Sequence, residues 1–138
     1  MSTLNVANIQ SLSTSTLPLV KNSAGTELGQ FVKIWVSFNG SGTVGIHDSF
    51  NVSSITDNGA GRYTLNFLIT MANTNYAPVT QQILQVLSGN PIRTGIIKSD
   101  MTTTTCKVVC GTGNQHNASS TVGGFSDINF IAVAIFGD

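Results

Sequence analysis

A chain of 138 residues is the length of one domain, able to bury roughly 65–70% of the surface that its unfolded form exposes. Hydrophobic residues make up 41% of it and charged residues only 9%, six basic against six acidic, so the formal net charge is zero. That balance excludes a nucleic-acid or anionic-lipid binder working through clustered Lys and Arg, and no run approaches the ~18–20 apolar residues of a membrane-spanning helix.

The polar share comes instead from Ser, Thr and Asn, about a third of the chain. Hydroxyls and amides form cross-strand hydrogen bonds without the cost of desolvating charge. A neutral, weakly charged surface also resists association poorly, which points to deliberate oligomerisation. The amino terminus lacks the basic flank and apolar core of a signal peptide. Synthesis in a cytoplasm, with use there or release by lysis, is the expectation.

Met1 to Thr16 is rich in Ser, Thr and Asn and carries apolar Leu4, Val6, Ile9 and Leu12. It reads either as a frayed terminus or as an extended arm that docks on a neighbouring subunit or carrier protein. Leu17-Pro18-Leu19-Val20 leads to a turn at Ala24-Gly25-Thr26 and Gly29. Residues 1–30 are therefore read as arm and lead-in, and residues 31–138 as the folded domain.

Phe31 to Phe38 is the first strand. Val32, Ile34, Val36 and Phe38 lie on one face; Phe31 and Trp35 lie on the other with Lys33 between them. A strand apolar on both sides suggests cover by a second sheet and by a neighbouring chain. Phe31 and Trp35 are thus candidate subunit-interface residues, with simple core packing as the alternative for the tryptophan. Asn39-Gly40-Ser41-Gly42 turns the chain into Thr43 to His47. Phe50 to Thr56 and Arg62 to Thr70 continue the pattern, joined by Asp57-Asn58-Gly59-Ala60-Gly61, whose residues accept positive φ. Tyr63, Leu65 and Phe67 alternate with Arg62, Thr64 and Asn66 at a period of two.

In this region the chain resembles a known family. The string from Val20 to Tyr76 runs VKNSAGTELGQFVKIW, W-V-x-F-N-G-x-G-T-V, N-V-S-S-I-T-D-N-G-x-G-x-Y-T-x-N-F and M-A-N-x-N-Y. It is similar to a carboxyl-terminal domain of tail-fibre and other virion structural proteins of bacteriophages, marine ones (cyanophage type) especially. The resemblance implies a place on a virion, a homotrimer, other virion proteins as partners, and contact with a host surface glycan or protein.

Met71 to Tyr76 is a loop by composition, and Ala77-Pro78 resets the backbone before Val79. Gln82 to Leu87 alternates weakly, Ser88-Gly89-Asn90-Pro91 is a turn, and Ile92 to Lys98 suits an edge strand. Thr102 to Val109 is β-rich. Gly111 to Gly124 is the longest stretch without a structural pattern, and Asp127 to Phe136 is a strand apolar on both faces that belongs centrally in a sheet. The sum is an all-β, antiparallel β-sandwich of jelly-roll kind with an extended N-terminal arm.

The chemistry-bearing residues give little. Cys106 and Cys110 would share a face of one strand about 13 Å apart, beyond disulfide reach, and they read as buried thiols. A nucleophilic thiol would need a base, and His116 is the one close in sequence, with no acidic orienter beside it. Neighbours on a strand point to opposite faces, so His47-Asp48 would not jointly hold a metal there. Asp48, Asp57, Asp100 and Asp127 are too scattered to read as a glycosidase pair, and the three N-x-S sequons read as chance products of a polar chain. The reading is a non-enzyme with no cofactor, metal, nucleic-acid or membrane-insertion role.

Three functions from different classes fit these residues. The first is the knob or tip of a tail fibre or appendage, touching the host through the loops that hold Asn73, Asn75, Tyr76, Asn114, His116 and Asn117. The second is a capsid decoration or cement protein gripping its neighbours through Leu4, Val6, Ile9 and Leu12. It is motivated by the roughly thirty residues ahead of the domain, too few for a fibre shaft. The third is a glycan depolymerase. Met1 favours a separate protein over a module of a longer fibre.

Overall fold

A computed structural model describes residue 9 and residues 20–82, 92–113 and 123–137. The chain divides into two compact units, Met1–Phe31 and Val32–Asp138. In the first, β1 (Val20–Lys21) and β2 (Glu27–Gly29) form a small antiparallel hairpin. Its turn is built by Asn22, whose Oδ1 accepts from the amides of Ala24 and Thr26, and by Gly25 at a φ of 81°. The turn expected at Ala24-Gly25-Thr26 is therefore present. Within the expected arm, Leu4, Val6 and Leu12 lie outside the described residues, and Ile9 is exposed.

The second unit is a two-sheet sandwich. Its strands are β3 (Ile34–Asn39), β4 (Gly45–Phe50), β5 (Val52–Asp57), β6 (Arg62–Phe67), β7 (Ala77–Gln82), β8 (Ile92–Ile96), β9 (Thr105–Gly113), β10 (Gly123–Phe125) and β11 (Ile131–Phe136). The front sheet has the order β4-β3-β11-β7, all pairs antiparallel. In the back sheet β9 pairs with β6 on one side and β8 on the other, and β6 pairs with β5. The short β10 takes up the β6 side of β9 where β6 ends.

The period-two pattern decides which side chains face inward. Ile34, Val36 and Phe38 of β3 and Ile131, Val133 and Ile135 of β11 meet Tyr63, Leu65 and Phe67 of β6 and Cys106, Val108 and Cys110 of β9, all buried. Each such side chain withdrawn from water contributes about 1.5–3 kcal/mol, which offsets the entropy of ordering the strands. Phe38 and Tyr63 meet edge to face with ring centroids 5.2 Å apart, adding ~0.5–1.5 kcal/mol across the two sheets.

One residue carries the chain from front to back at one edge. Asn51 lies between β4 and β5 at a φ of 59°, a left-handed conformation that Asn tolerates better than most residues. Its Nδ2 donates to the Lys33 carbonyl at 2.8 Å, and its own carbonyl accepts from the Leu68 amide. At the opposite edge the hydroxyls of Thr94 on β8 and Thr80 on β7 are 3.1 Å apart, so side chains join the two outermost strands.

The path mixes hairpins within a sheet (β3–β4, β5–β6, β8–β9) with crossings between sheets. The sandwich is as expected; the finer jelly-roll winding is not something this pairing pattern shows. Several boundaries move. Pro78 lies inside β7, tolerated because β7 is an edge strand. Of the loop expected over Gly111–Gly124, residues 111–113 belong to β9 and Gly123 and Gly124 to β10, and residues 114–122 lie outside the described residues. The Asp127–Phe136 strand shortens to Ile131–Phe136 but sits centrally, between β3 and β7.

Candidate interaction surfaces

The outer face of the front sheet carries an unusual row. Register places Phe50, Trp35, Ala134 and Val79 side by side across all four strands. Phe50 is 45% exposed, Trp35 36% and Val79 56%, although these are side chains that a sheet would ordinarily cover. On one side of this row Phe136 pairs with Ala77, beside Lys33, whose amide continues the pairing of β3 with the Ile135 carbonyl. On the other side lie Asp48, Ser37, Ala132 and Gln81. Trp35 is therefore a face residue rather than core, because the alternation that buries Ile34 and Val36 turns it outward. Phe31, the last residue of the first unit, is also exposed.

A β-bulge in the β3–β4 pairing, between Ser37 and Phe38, adds one residue to β4. His47 takes that position and stacks on Phe130 with ring centroids 5.8 Å apart. The bulge breaks the simple alternation on which the His47-Asp48 reading relied. Among the described residues, however, no group of three His, Cys, Asp or Glu is placed to hold a metal ion.

The back sheet's outer face is different in kind. Asn66 donates from Nδ2 to the hydroxyls of Ser54 and Thr56, at 3.1 and 3.0 Å, and Asn58 donates to the Thr64 hydroxyl at 2.9 Å. The Arg62 guanidinium stands 4.0 Å from the centre of the Phe125 ring, a cation–π contact worth ~0.5–1 kcal/mol where water reaches it. This surface is a ladder of hydroxyls and amides with an aromatic at its margin.

At one end of the sandwich the candidate loop at residues 71–76 packs against the segment at residues 98–105. Lys98 donates from Nζ to the Thr74 carbonyl at 2.7 Å, and the Met71 amide donates to the Thr103 carbonyl. Asn73 and Asn75 are exposed, with the Asn73 side chain accepting from the Asn75 amide. Tyr76, expected on the surface of this loop, points into the fold instead. It is only 4% exposed, its ring meets Phe67 edge to face, and its hydroxyl lies 3.0 and 2.9 Å from the carbonyl oxygens of Thr102 and Thr105. A buried phenol cannot touch a partner, so Tyr76 anchors the loop rather than serving the surface recognition expected of it. Asn114, His116 and Asn117 lie outside the described residues.

At the other end three turns converge on one group that sequence spacing does not reveal. The Tyr63 hydroxyl lies 2.7 Å from the Gly40 carbonyl oxygen and 2.9 Å from Asp127 Oδ1, and the Gly61 amide donates to the same carboxylate oxygen at 2.7 Å. Burial, then the adjacent Asp127 carboxylate, raises the pKa of Tyr63 well above that of an ordinary phenol. Asp127 thereby serves as a tie between turns. The only sequence signals were Gly40 and Gly61 inside the turns.

Both thiols are buried and free. Burial pushes Cys106 up to about 11 and Cys110 up to about 12, so at neutral pH neither is a thiolate nucleophile. Asp100 is paired with Lys107, which holds its carboxyl below the usual range.

Compared with known proteins, the chain matches no family model, no curated protein and no solved structure.

Proposed function

We propose that this protein is a non-enzymatic structural component of a bacteriophage particle, a knob or tip of a tail fibre or appendage that contacts the host surface. The observation that carries the reading is the apolar row Phe50–Trp35–Ala134–Val79, whose Phe50, Trp35 and Val79 are exposed on the front sheet. A lone soluble domain gains nothing from leaving such a row in water, whereas a part of an assembly uses it. The loop end supplies the second half of the role. Exposed Asn73 and Asn75, with Lys98 bracing the Thr74 carbonyl, present amides and carbonyls suited to the hydroxyls of a glycan or to a surface protein.

The test is gold-labelled antibody against this protein on intact particles, viewed by electron microscopy. Label on tail appendages is the expected result. Label spread over the capsid replaces the fibre role with decoration, and particles that carry no label at all overturn the virion reading.

A further inference from the structure

We infer that the outer face of the front sheet is a self-association surface, covered by the same face of a second copy of this chain in a two-fold pair. The pair uses the same exposed row as the reading above, and it has two-fold symmetry in place of the three-fold assembly that the resemblance implies; it is a property of the isolated chain, tested apart from any particle.

The occupant is identified by charge. Across the outward positions of β3, β4, β7 and β11, and Lys33 one step before β3, the charged side chains are Lys33 and Asp48. They flank the apolar row on opposite sides, Lys33 beside Phe136 and Asp48 beside Ser37. Among the described residues neither forms a salt bridge. A two-fold axis lying between two stacked faces and running along the row exchanges the two flanking rows. Lys33 of each copy then lies over the row that holds Asp48 of the other, twice per pair, while Trp35 and Phe50 meet their own counterparts near the axis. A like-with-like interface is normally penalised by repulsion; here the face is complementary to itself, and the chain's zero net charge adds no long-range opposition.

The size of the patch sets the strength. Four strands about 4.8 Å apart and six residues long at about 3.4 Å each give a face of ~400 Å² in projection. Polar positions included, that falls below the ~800 Å² per partner of a standard stable complex. The pair is therefore a concentration-dependent one, held chiefly by the tryptophan as its central anchor.

The experiment is sedimentation equilibrium of the full chain over about 1 to 500 μM, a window that spans micromolar dissociation constants. Far-UV circular dichroism is recorded on each variant to establish that it is folded. The wild type should move from the mass of one chain to the mass of two. Trp35→Ser should weaken the pair ~30-fold, the effect of losing a central anchor. Lys33→Asp alone and Asp48→Lys alone should each weaken it ~10-fold, by placing like charges together, and the double exchange should recover most of the loss. A wild type that stays monomeric, a mass of three chains, a pair indifferent to Trp35→Ser, or single charge variants that the double exchange does not rescue would each overturn the proposal.

Discussion

Tyr63→Phe is the most informative single change in the fold. The substitution keeps the buried ring and its edge-to-face contact with Phe38, and it deletes only the hydroxyl shared by the Gly40 carbonyl and Asp127. A neutral hydrogen bond is worth about 0.5–1.5 kcal/mol net, and one to a charged acceptor about 1.5–3. With one proton shared between two acceptors, the loss should be ~2 kcal/mol. For a domain of this size each kcal/mol moves Tm by roughly 3–5 °C, so the melting temperature should fall by ~6–10 °C. Urea denaturation at neutral pH measures the free energy directly. The phenol also has a signature in pH. Its folded pKa is raised above the unfolded value of 10.0, so its stabilising contribution is complete below pH 10 and is lost as pH rises above it. Well above pH 10 the wild type should lose up to ~1.4 kcal/mol per pH unit through this group, and Tyr63→Phe should lose that much less. A variant within 0.5 kcal/mol of wild type, by the usual scatter for changes that touch nothing, would refute the role assigned to the hydroxyl. An unchanged alkaline limb would do the same.

Tyr76→Phe should cost ~1 kcal/mol in urea denaturation and leave any host-cell adhesion unchanged, because its hydroxyl braces the carbonyls of Thr102 and Thr105 inside the fold. Gly61→Ala should fold poorly or not at all: its φ is 61°, and a new Cβ would press on the Cys110 carbonyl and on the Ser126 backbone. A cost of roughly 3 kcal/mol or more is expected from strain and overpacking combined, read as loss of soluble protein or of a cooperative melt. The two thiols should add an alkaline loss of their own. Raised from 9.0 to about 11 and about 12, they contribute stability that is complete below pH 9 and declines above it. A conservative Cys110→Ala variant should therefore melt with a shallower slope between pH 9 and 10, measured by thermal unfolding against pH.

The strands that declared themselves in the sequence are those whose alternation is strict. Ile34–Phe38 and Tyr63–Phe67 expose their period because one face is buried without exception. The uninterrupted apolar run at Ile131–Phe136 reads correctly as a central strand, flanked by β3 and β7. What stayed hidden depends on partners far away in the chain. Asp127 looked like one more scattered carboxylate, yet it ties to Tyr63 and Gly61 more than sixty positions earlier. Pro78 read as an interruption because its position at a sheet edge is a tertiary fact. Tyr76 closes a motif of polar residues, and only the fold reveals that its ring fills the space beside Phe67. The bulge opposite Ser37 had no signal at all, since a bulge is a property of a pair of strands and not of one. The outer row of Phe50, Trp35, Ala134 and Val79 is half visible in the sequence: Trp35 stands out as an interface candidate, but its neighbours come from three other strands and only the register joins them.

The position of β11 governs the order in which the molecule can be built. Among the described residues of the front sheet β7 pairs with β11 alone, and β3 joins β11 across ninety-three positions, from Phe38 to Ile131. The hairpins β3–β4 and β5–β6 can close locally and early, but the front sheet acquires its middle only when the final described strand arrives. Until then the backbone edges of β3 and β7 wait open, β3 with its apolar Ile34, Val36 and Phe38 uncovered, each a template for the wrong neighbour. A chain cut ahead of Ile131 should thus behave as a sticky half-sandwich, and intact chains made at high local concentration are exposed to strand exchange during that same interval.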